Sequence, residues 1–129
     1  MADEEVRAVA GPALTALPQP PARFILHFKW NSTELTAESR ARVLDVVRTI
    51  RERASTDVSV VGHTDTVGDR PYNNRLGLER ARTVAALVVA EGVSRSSLEI
   101  ASHGKDNPLV STGDQVPEPR NRRVEVTVR

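Results

Sequence analysis

Apolar residues along the chain follow two rhythms, one of period two and one of period three to four, and the two alternate. Phe24-Ile25-Leu26-His27-Phe28 sets Phe24, Leu26 and Phe28 on one face of a strand, which Asn31-Ser32-Thr33 then ends. A helix is predicted next, with Thr36 as N-cap and Glu38 in the electropositive first turn. Its apolar stripe reads Ala41, Leu44 and Val47, with Val43 and Ile50 beside it, while Arg40, Arg42, Arg48 and Arg51 cover the wet side. Val58-Ser59-Val60-Val61 is a short apolar strand that runs into Gly62-His63-Thr64-Asp65. Thr66–Asn74 reads as a loop, punctuated by Gly68, Pro71 and an Asn pair. A second helix is predicted over 75–91, burying Gly77, Ala81, Val84, Leu87 and Val88 and stopped by Gly92. Leu98-Glu99-Ile100-Ala101 gives a third strand. In the last, over 123–129, Val124, Val126 and Val128 alternate with Arg123, Glu125, Thr127 and Arg129, the pattern of a sheet with one wet face.

The resulting order, β-α-β-α-β-β, predicts an α+β fold: a mixed sheet with two main helices packed on one face. Strand–helix–strand units imply parallel crossovers, and the final two strands, joined by a loop, can run antiparallel. Ahead of this unit, residues 1–22 read as a tether rich in Ala and Pro (Pro12, Pro18, Pro20, Pro21), so the folded domain is expected over 23–129.

Composition narrows the function classes. Of 129 residues, 39% are hydrophobic and 27% charged, ordinary for a soluble domain, while aromatics at 3% leave the core to Val, Leu, Ile and Ala. A net charge of +1 lacks the cationic surplus that phosphate backbones require, so no nucleic-acid partner is expected. With no cysteine, disulfides, thiolate nucleophiles and Cys-based metal sites are excluded. No run approaches the ~18 apolar residues of a membrane span. The acidic start Met1-Ala2-Asp3-Glu4-Glu5 is unlike a signal peptide.

Candidate chemistry concentrates in Gly62-His63-Thr64-Asp65-Thr66-Val67-Gly68, followed by Asn73, Leu76, Glu79-Arg80-Ala81 and Val84. Asp65 sits just past a strand end and Arg80 in the helix that follows. If that helix packs back over the sheet, the two charges approach each other across a loop-walled groove. Such a groove suits a zwitterion, the carboxylate taking an ammonium and the guanidinium taking a carboxylate in a fork. Gly68 would let loop N–H groups come close to a ligand.

The sequence here resembles the OmpA-like (OmpA/Pal/MotB) peptidoglycan-binding domain family. The matching segments are Phe28 with Asn31-Ser32 and Leu35; Gly62-His63-Thr64-Asp65 with Gly68; Asn73, Leu76, Arg80-Ala81 and Val84; Gly104 with Pro108; and Asn121-Arg122-Arg123-Val124-Glu125. The resemblance implies the same mixed-sheet fold and non-covalent binding of peptidoglycan through the diaminopimelate residue of its stem peptides. By that likeness Asp65 and Arg80 contact the residue's zwitterionic end, and Asn31, Thr66, Gly68 and Asn73 line the same pocket. Asn121 and Arg122 would brace the pocket loops by hydrogen bonds. It also implies a periplasmic location, tethered to the outer membrane or cell envelope, and no enzyme activity, cofactor or metal. The sequence departs from the family pattern at Lys29-Trp30, where Asp followed by an aromatic is common, and at Gly77, where Ser is usual.

Each feature has a plainer reading. Asp65 and Arg80 also fit an ordinary ion pair or a capping Asp. His63, Asp65 and His103 suggest a metal-dependent hydrolase, against which neighbouring strand residues point to opposite faces and no general base is evident. A protein–protein adaptor of a secretion or stator complex would keep the fold with a degenerate pocket. Trp30 is expected in core or edge packing, His63 as a structural residue, and Arg120-Asn121-Arg122-Arg123 as a solvated strand start.

Overall fold

The computed structural model describes residues 19–129, so most of the expected tether lies outside the described residues. The elements are β1 (Ala22–His27), α1 (Ala37–Arg53), β2 (Val58–His63), α2 (Arg70–Ala90), β3 (Leu98–Gly104) and β4 (Arg123–Val128), with single 3₁₀ turns at Arg95–Ser97 and Pro119–Asn121. The expected element order is present, and the fold is α+β. The strands lie in the order β1-β4-β2-β3, with β4 antiparallel to both β1 and β2, and β2 parallel to β3. The last strand therefore does not pair with the one before it. It inserts between β1 and β2, running opposite to both.

Period-two burial fixes the sheet's inner face. Leu26, Val58, Val60, Val124, Val126 and Val128 are all essentially inaccessible and meet the helices. Against them α1 packs Val43, Val46, Val47 and Ile50, and α2 packs Ala81, Val84, Ala85 and Val88. The stripe on α1 is rotated from the expected one: Leu44 is 57% exposed, Ala41 is also exposed, and Val46 takes the core position. The positions 43, 46, 47 and 50 satisfy i, i+3, i+4, i+7 spacing better than 41, 44 and 47.

Helix ends follow local chemistry. Thr36 caps α1 as expected, its hydroxyl accepting from the Ser39 N–H at 3.3 Å. The second helix starts five residues earlier than the sequence suggests. Asp69 is its N-cap, accepting from the Tyr72 N–H at 2.7 Å, and Pro71 stands in the first turn, where its missing N–H has no partner to lose. Read as loop punctuation, that proline hid a full helical turn. At the other end Gly92 takes a left-handed conformation, φ 102°, with Gly92 and Val93 N–H groups returning to Val89 and Val88 carbonyls.

One contact sets the distance between α2 and the sheet. Gly62 of β2 faces Gly77 of α2, and a Cβ on Gly62 would overlap the Gly77 carbonyl oxygen and stand 2.5 Å from its carbon. The helix thus rests backbone against backbone on the strand that leads into Thr64 and Asp65.

Candidate functional site

Beyond the last residues of β2 the pairing register with β3 shifts at Gly62/His63, and the chain turns out of the sheet. The Thr64 N–H donates to the Gly104 carbonyl at 2.8 Å, which holds the turn, and Asp65 follows. The loop ends at the Asp69 cap of α2, and α2 carries Tyr72, Asn73, Leu76 and Arg80 back along its wall. A cleft of about 160 Å³ opens between these residues and the β1–α1 loop, lined by Trp30, Asn31, Thr64, Asp65, Val67, Gly68, Tyr72, Asn73, Leu76, Arg80 and Arg122.

Asp65 and Arg80 both line this cleft, but they are not each other's partners. Asp65 Oδ2 accepts from Arg122 Nε at 2.9 Å and from the Glu118 N–H at 3.3 Å, while Oδ1 accepts from the Val67 N–H at 3.2 Å. Of the roughly four lone-pair positions of a carboxylate, three are taken. Arg80 is 1% exposed and stacks over the Phe28 ring at 5.3 Å. It donates to the carbonyls of Ser32 (2.9 Å), His63 (3.0 Å) and Lys29 (3.4 Å), which leaves two of its five N–H groups. Burial pulls the Arg80 guanidinium down to about 10, Asp65 pulling it up and Arg122 pushing it down further; it is cationic at neutral pH. Two guanidinium groups against one carboxylate leave the cleft with a surplus positive charge.

The remaining expected residues divide. Asn31, in a left-handed conformation (φ 48°), Gly68 and Asn73 line the cleft. Asn73 Nδ2 donates to the Val67 carbonyl at 2.9 Å, and Asn31 Oδ1 accepts from the Tyr72 hydroxyl. Gly68 has φ 95°, but its N–H already donates to Gln115 Oε1 at 2.9 Å and the Val67 N–H is held by Asp65. The glycine shapes the turn rather than freeing an amide for a ligand. Thr66 does not line the cleft: its hydroxyl donates to the Gly113 carbonyl and accepts from the Val116 N–H, both at 2.9 Å, and so ties the loop to the 112–116 segment.

Asn121 and Arg122 brace the walls. Asn121 donates to the Val110 carbonyl and accepts from the Val110 N–H, both at 2.9 Å, as a neighbouring strand would. Arg122 anchors Asp65. Asn121, Arg122 and Arg123 are buried, contrary to the expected solvated strand start, because the carboxylate and carbonyls they reach lie inside. Trp30 is 60% exposed at the cleft mouth, not packed in the core or at an edge. Sequence reasoning also missed Tyr72 as a cleft residue. Tyr72, Leu76 and Arg80 form an i, i+4, i+8 row on α2, invisible once the helix is started at 75.

His63 faces the opposite side of the sheet from the core helices, with His103 edge-on at 5.1 Å and Arg123 and Glu125 nearby. Among the described residues no group of three or more His, Cys, Asp or Glu side chains is placed to hold a metal ion. Burial first, then Arg123, lowers His63 to about 4, against the opposing pull of Glu125. A histidine whose folded pKa lies below its unfolded value of 6.5 contributes stability above pH 6.5 and loses it as pH falls toward 4. Wild type is therefore expected to lose about 2 kcal/mol between pH 6.5 and 5 from this group. His63→Gln should flatten that slope in denaturant titrations; an unchanged slope would contradict a buried neutral His63. His27 shifts in the same direction and remains in both proteins.

A four-stranded mixed sheet covered on one face by two helices, with a polar cleft at the end of β2, defines a class of small α+β domain. The chain belongs to the OmpA family, whose model matches residues 27–122. It is 38% identical over 100 residues to the peptidoglycan-associated lipoprotein of Pseudomonas aeruginosa, an overlap covering 78% of this chain and 59% of that protein. It is 33% identical over 115 residues to an outer membrane protein of Gluconacetobacter diazotrophicus, covering 84% of this chain and 30% of that one. The chain thus spans between 30% and 59% of the length of these two relatives. Among solved structures, the OmpA-like domain of FopA1 from Francisella tularensis superposes with a TM-score of 0.76 at 22% identity, over 84% of this chain and 71% of that one.

Proposed function

We propose that this domain binds peptidoglycan non-covalently, taking the free zwitterionic end of diaminopimelate into the cleft and so anchoring an envelope protein to the wall. One observation carries the reading: Asp65, Arg80 and Arg122 meet at a single cleft of about 160 Å³, the scale of an amino-acid head group rather than a whole peptide. The ligand ammonium meets the remaining lone pair of Asp65, and its carboxylate meets the two N–H groups that Arg80 keeps. Each such charge-assisted hydrogen bond contributes on the order of 1.5–3 kcal/mol. A few of them give roughly micromolar to millimolar affinity per site. That suffices on a polymer presenting many stems, because a tethered domain rebinds locally. The name of the Pseudomonas aeruginosa relative supports the wall as partner. In this reading the domain begins with β1 at Ala22, one residue before the expected boundary, the segment ahead of it is a spacer, the site is periplasmic, and Asp65 and Arg80 hold without catalysing.

The test is a titration with a diaminopimelate-containing stem peptide, followed by NMR. Wild type is expected to show saturable shifts at Asp65, Arg80 and Asn31. Arg80→Lys loses the fork and should bind at least about tenfold more weakly, while a spectrum of the free protein keeps its dispersion. Saturation at a remote surface, or full affinity in the Arg80→Lys protein, would overturn the assignment.

A further inference from the structure

A second cleft lies beside the first and shares three of its residues. It measures about 440 Å³ and is lined by Asn31, Ser32, Thr33, Tyr72, Arg75, Leu76 and Glu79. Asn31, Tyr72 and Leu76 belong to both, and the Tyr72 hydroxyl bonded to Asn31 Oδ1 forms the low wall between them. Its lining is polar and carries two exposed opposite charges, Arg75 and Glu79, on consecutive turns of α2. At i, i+4 spacing these two can pair. They do not, and neither makes a side-chain ion pair or hydrogen bond among the described residues, so both heads remain available to a ligand.

Resting on the reading above, we propose that this second cleft is a subsite for the C-terminal carboxylate of the stem peptide, with Arg75 as its cation. The dimensions of the two partners agree. In diaminopimelate six single bonds separate the free carboxylate from the carbonyl that continues the chain, roughly 7.5 Å when extended, and one further residue adds about 3.5 Å. Arg75 precedes Arg80 by five residues, about 7.5 Å along the helix axis, and its side chain reaches further out. A head group held by Asp65 and Arg80 therefore leaves the main chain crossing the Tyr72–Asn31 wall, with its terminal carboxylate near Arg75. Glu79, one turn nearer the first cleft, faces the peptide N–H groups that cross before that end. The cleft thereby distinguishes a stem with a free terminal carboxylate from one whose end is amidated or cross-linked.

The experiment compares two stem tetrapeptides, Ala-Glu-diaminopimelate-Ala with a free C-terminal carboxylate and the same peptide as its C-terminal amide. Calorimetric titration of wild type should favour the free acid by about three- to fivefold, an advantage that shrinks with added salt. Arg75→Ala, an exposed helix position with no described side-chain partner, should bind both peptides equally, at the strength of the amide. Equal binding of the two peptides by wild type, or a preference that survives in Arg75→Ala, would overturn the subsite and leave the first cleft standing. Failure of either peptide to bind wild type would instead remove the wall reading itself.

Discussion

Gly62→Ala is expected to destabilise the protein by about 3 kcal/mol or more, and at the upper end to prevent folding. Added methyl groups in close-packed regions cost about 1–3 kcal/mol when neighbours can move, and more when they cannot. Here the obstructing atoms are the Gly77 carbonyl oxygen, the carbonyl carbon at 2.5 Å and the Cα at 3.0 Å, all main chain of α2. No rotamer change relieves them; the helix must lift from the sheet. The reciprocal change meets a different obstacle. A Cβ on Gly77 would strike Ser102 Oγ, which can rotate away by giving up the hydrogen bond it accepts from the Gly104 N–H at 3.1 Å, and would lie 3.1 Å from the Gly62 carbonyl oxygen. Replacing a mid-helix glycine by alanine also returns about 1 kcal/mol of helix propensity. Gly77→Ala should therefore cost far less than Gly62→Ala in urea unfolding. A Gly62→Ala protein within 1 kcal/mol of wild type would show that the contact does not set the helix height. Because α2 bears Tyr72, Asn73 and Arg80, any lift also widens the cleft.

That pair of glycines shows where reading the sequence succeeds and where it stops. Element identity was legible because burial is periodic: the Val124, Val126, Val128 alternation and the Thr36 cap are local signals, and both hold. Strand order was not legible. Nothing between 105 and 122 says that β4 inserts between β1 and β2, since that choice depends on which edges β1 and β2 leave open after the helices have packed. Gly77 read only as a buried helix position that departs from the family's usual Ser, because its partner Gly62 lies fifteen positions away on another element. The position of Asp65 at a strand end was legible, as was the return of Arg80 toward it. Its partner was not: Arg122 lies 57 residues on, in a basic run that reads as solvated until the carboxylate beneath it is known. Likewise two of the three carbonyls that bury Arg80, those of Lys29 and Ser32, depend on the conformation of the β1–α1 loop, which has no periodicity to read.

Asp65 and Arg122 form a buried ion pair at the cleft wall, so deleting either charge alone disturbs stability as well as the cleft. Both side chains are nearly inaccessible, at 8% and 11%, and their contact of 2.9 Å is direct. Removing one member of a buried pair leaves an uncompensated charge and costs about 3–5 kcal/mol, whereas removing both costs much less. Asp65→Ala should therefore lower stability by about 3 kcal/mol or more, part of it from the Val67 and Glu118 N–H groups that lose their acceptor. Arg122→Ala should be comparably damaging. The double variant Asp65→Ala/Arg122→Ala is expected to recover a large part of that loss, so the two effects will be strongly non-additive in a denaturation cycle. Binding follows a different rule in the proposed reading, where the ligand's ammonium needs the carboxylate whether or not Arg122 is present. The double variant should thus be stable enough to study and still fail to retain peptidoglycan sacculi in a sedimentation assay. Additive stabilities would mean that the pair is not energetically buried. Sedimentation of the stable double variant with sacculi at wild-type levels would mean that the wall is held elsewhere than at Asp65.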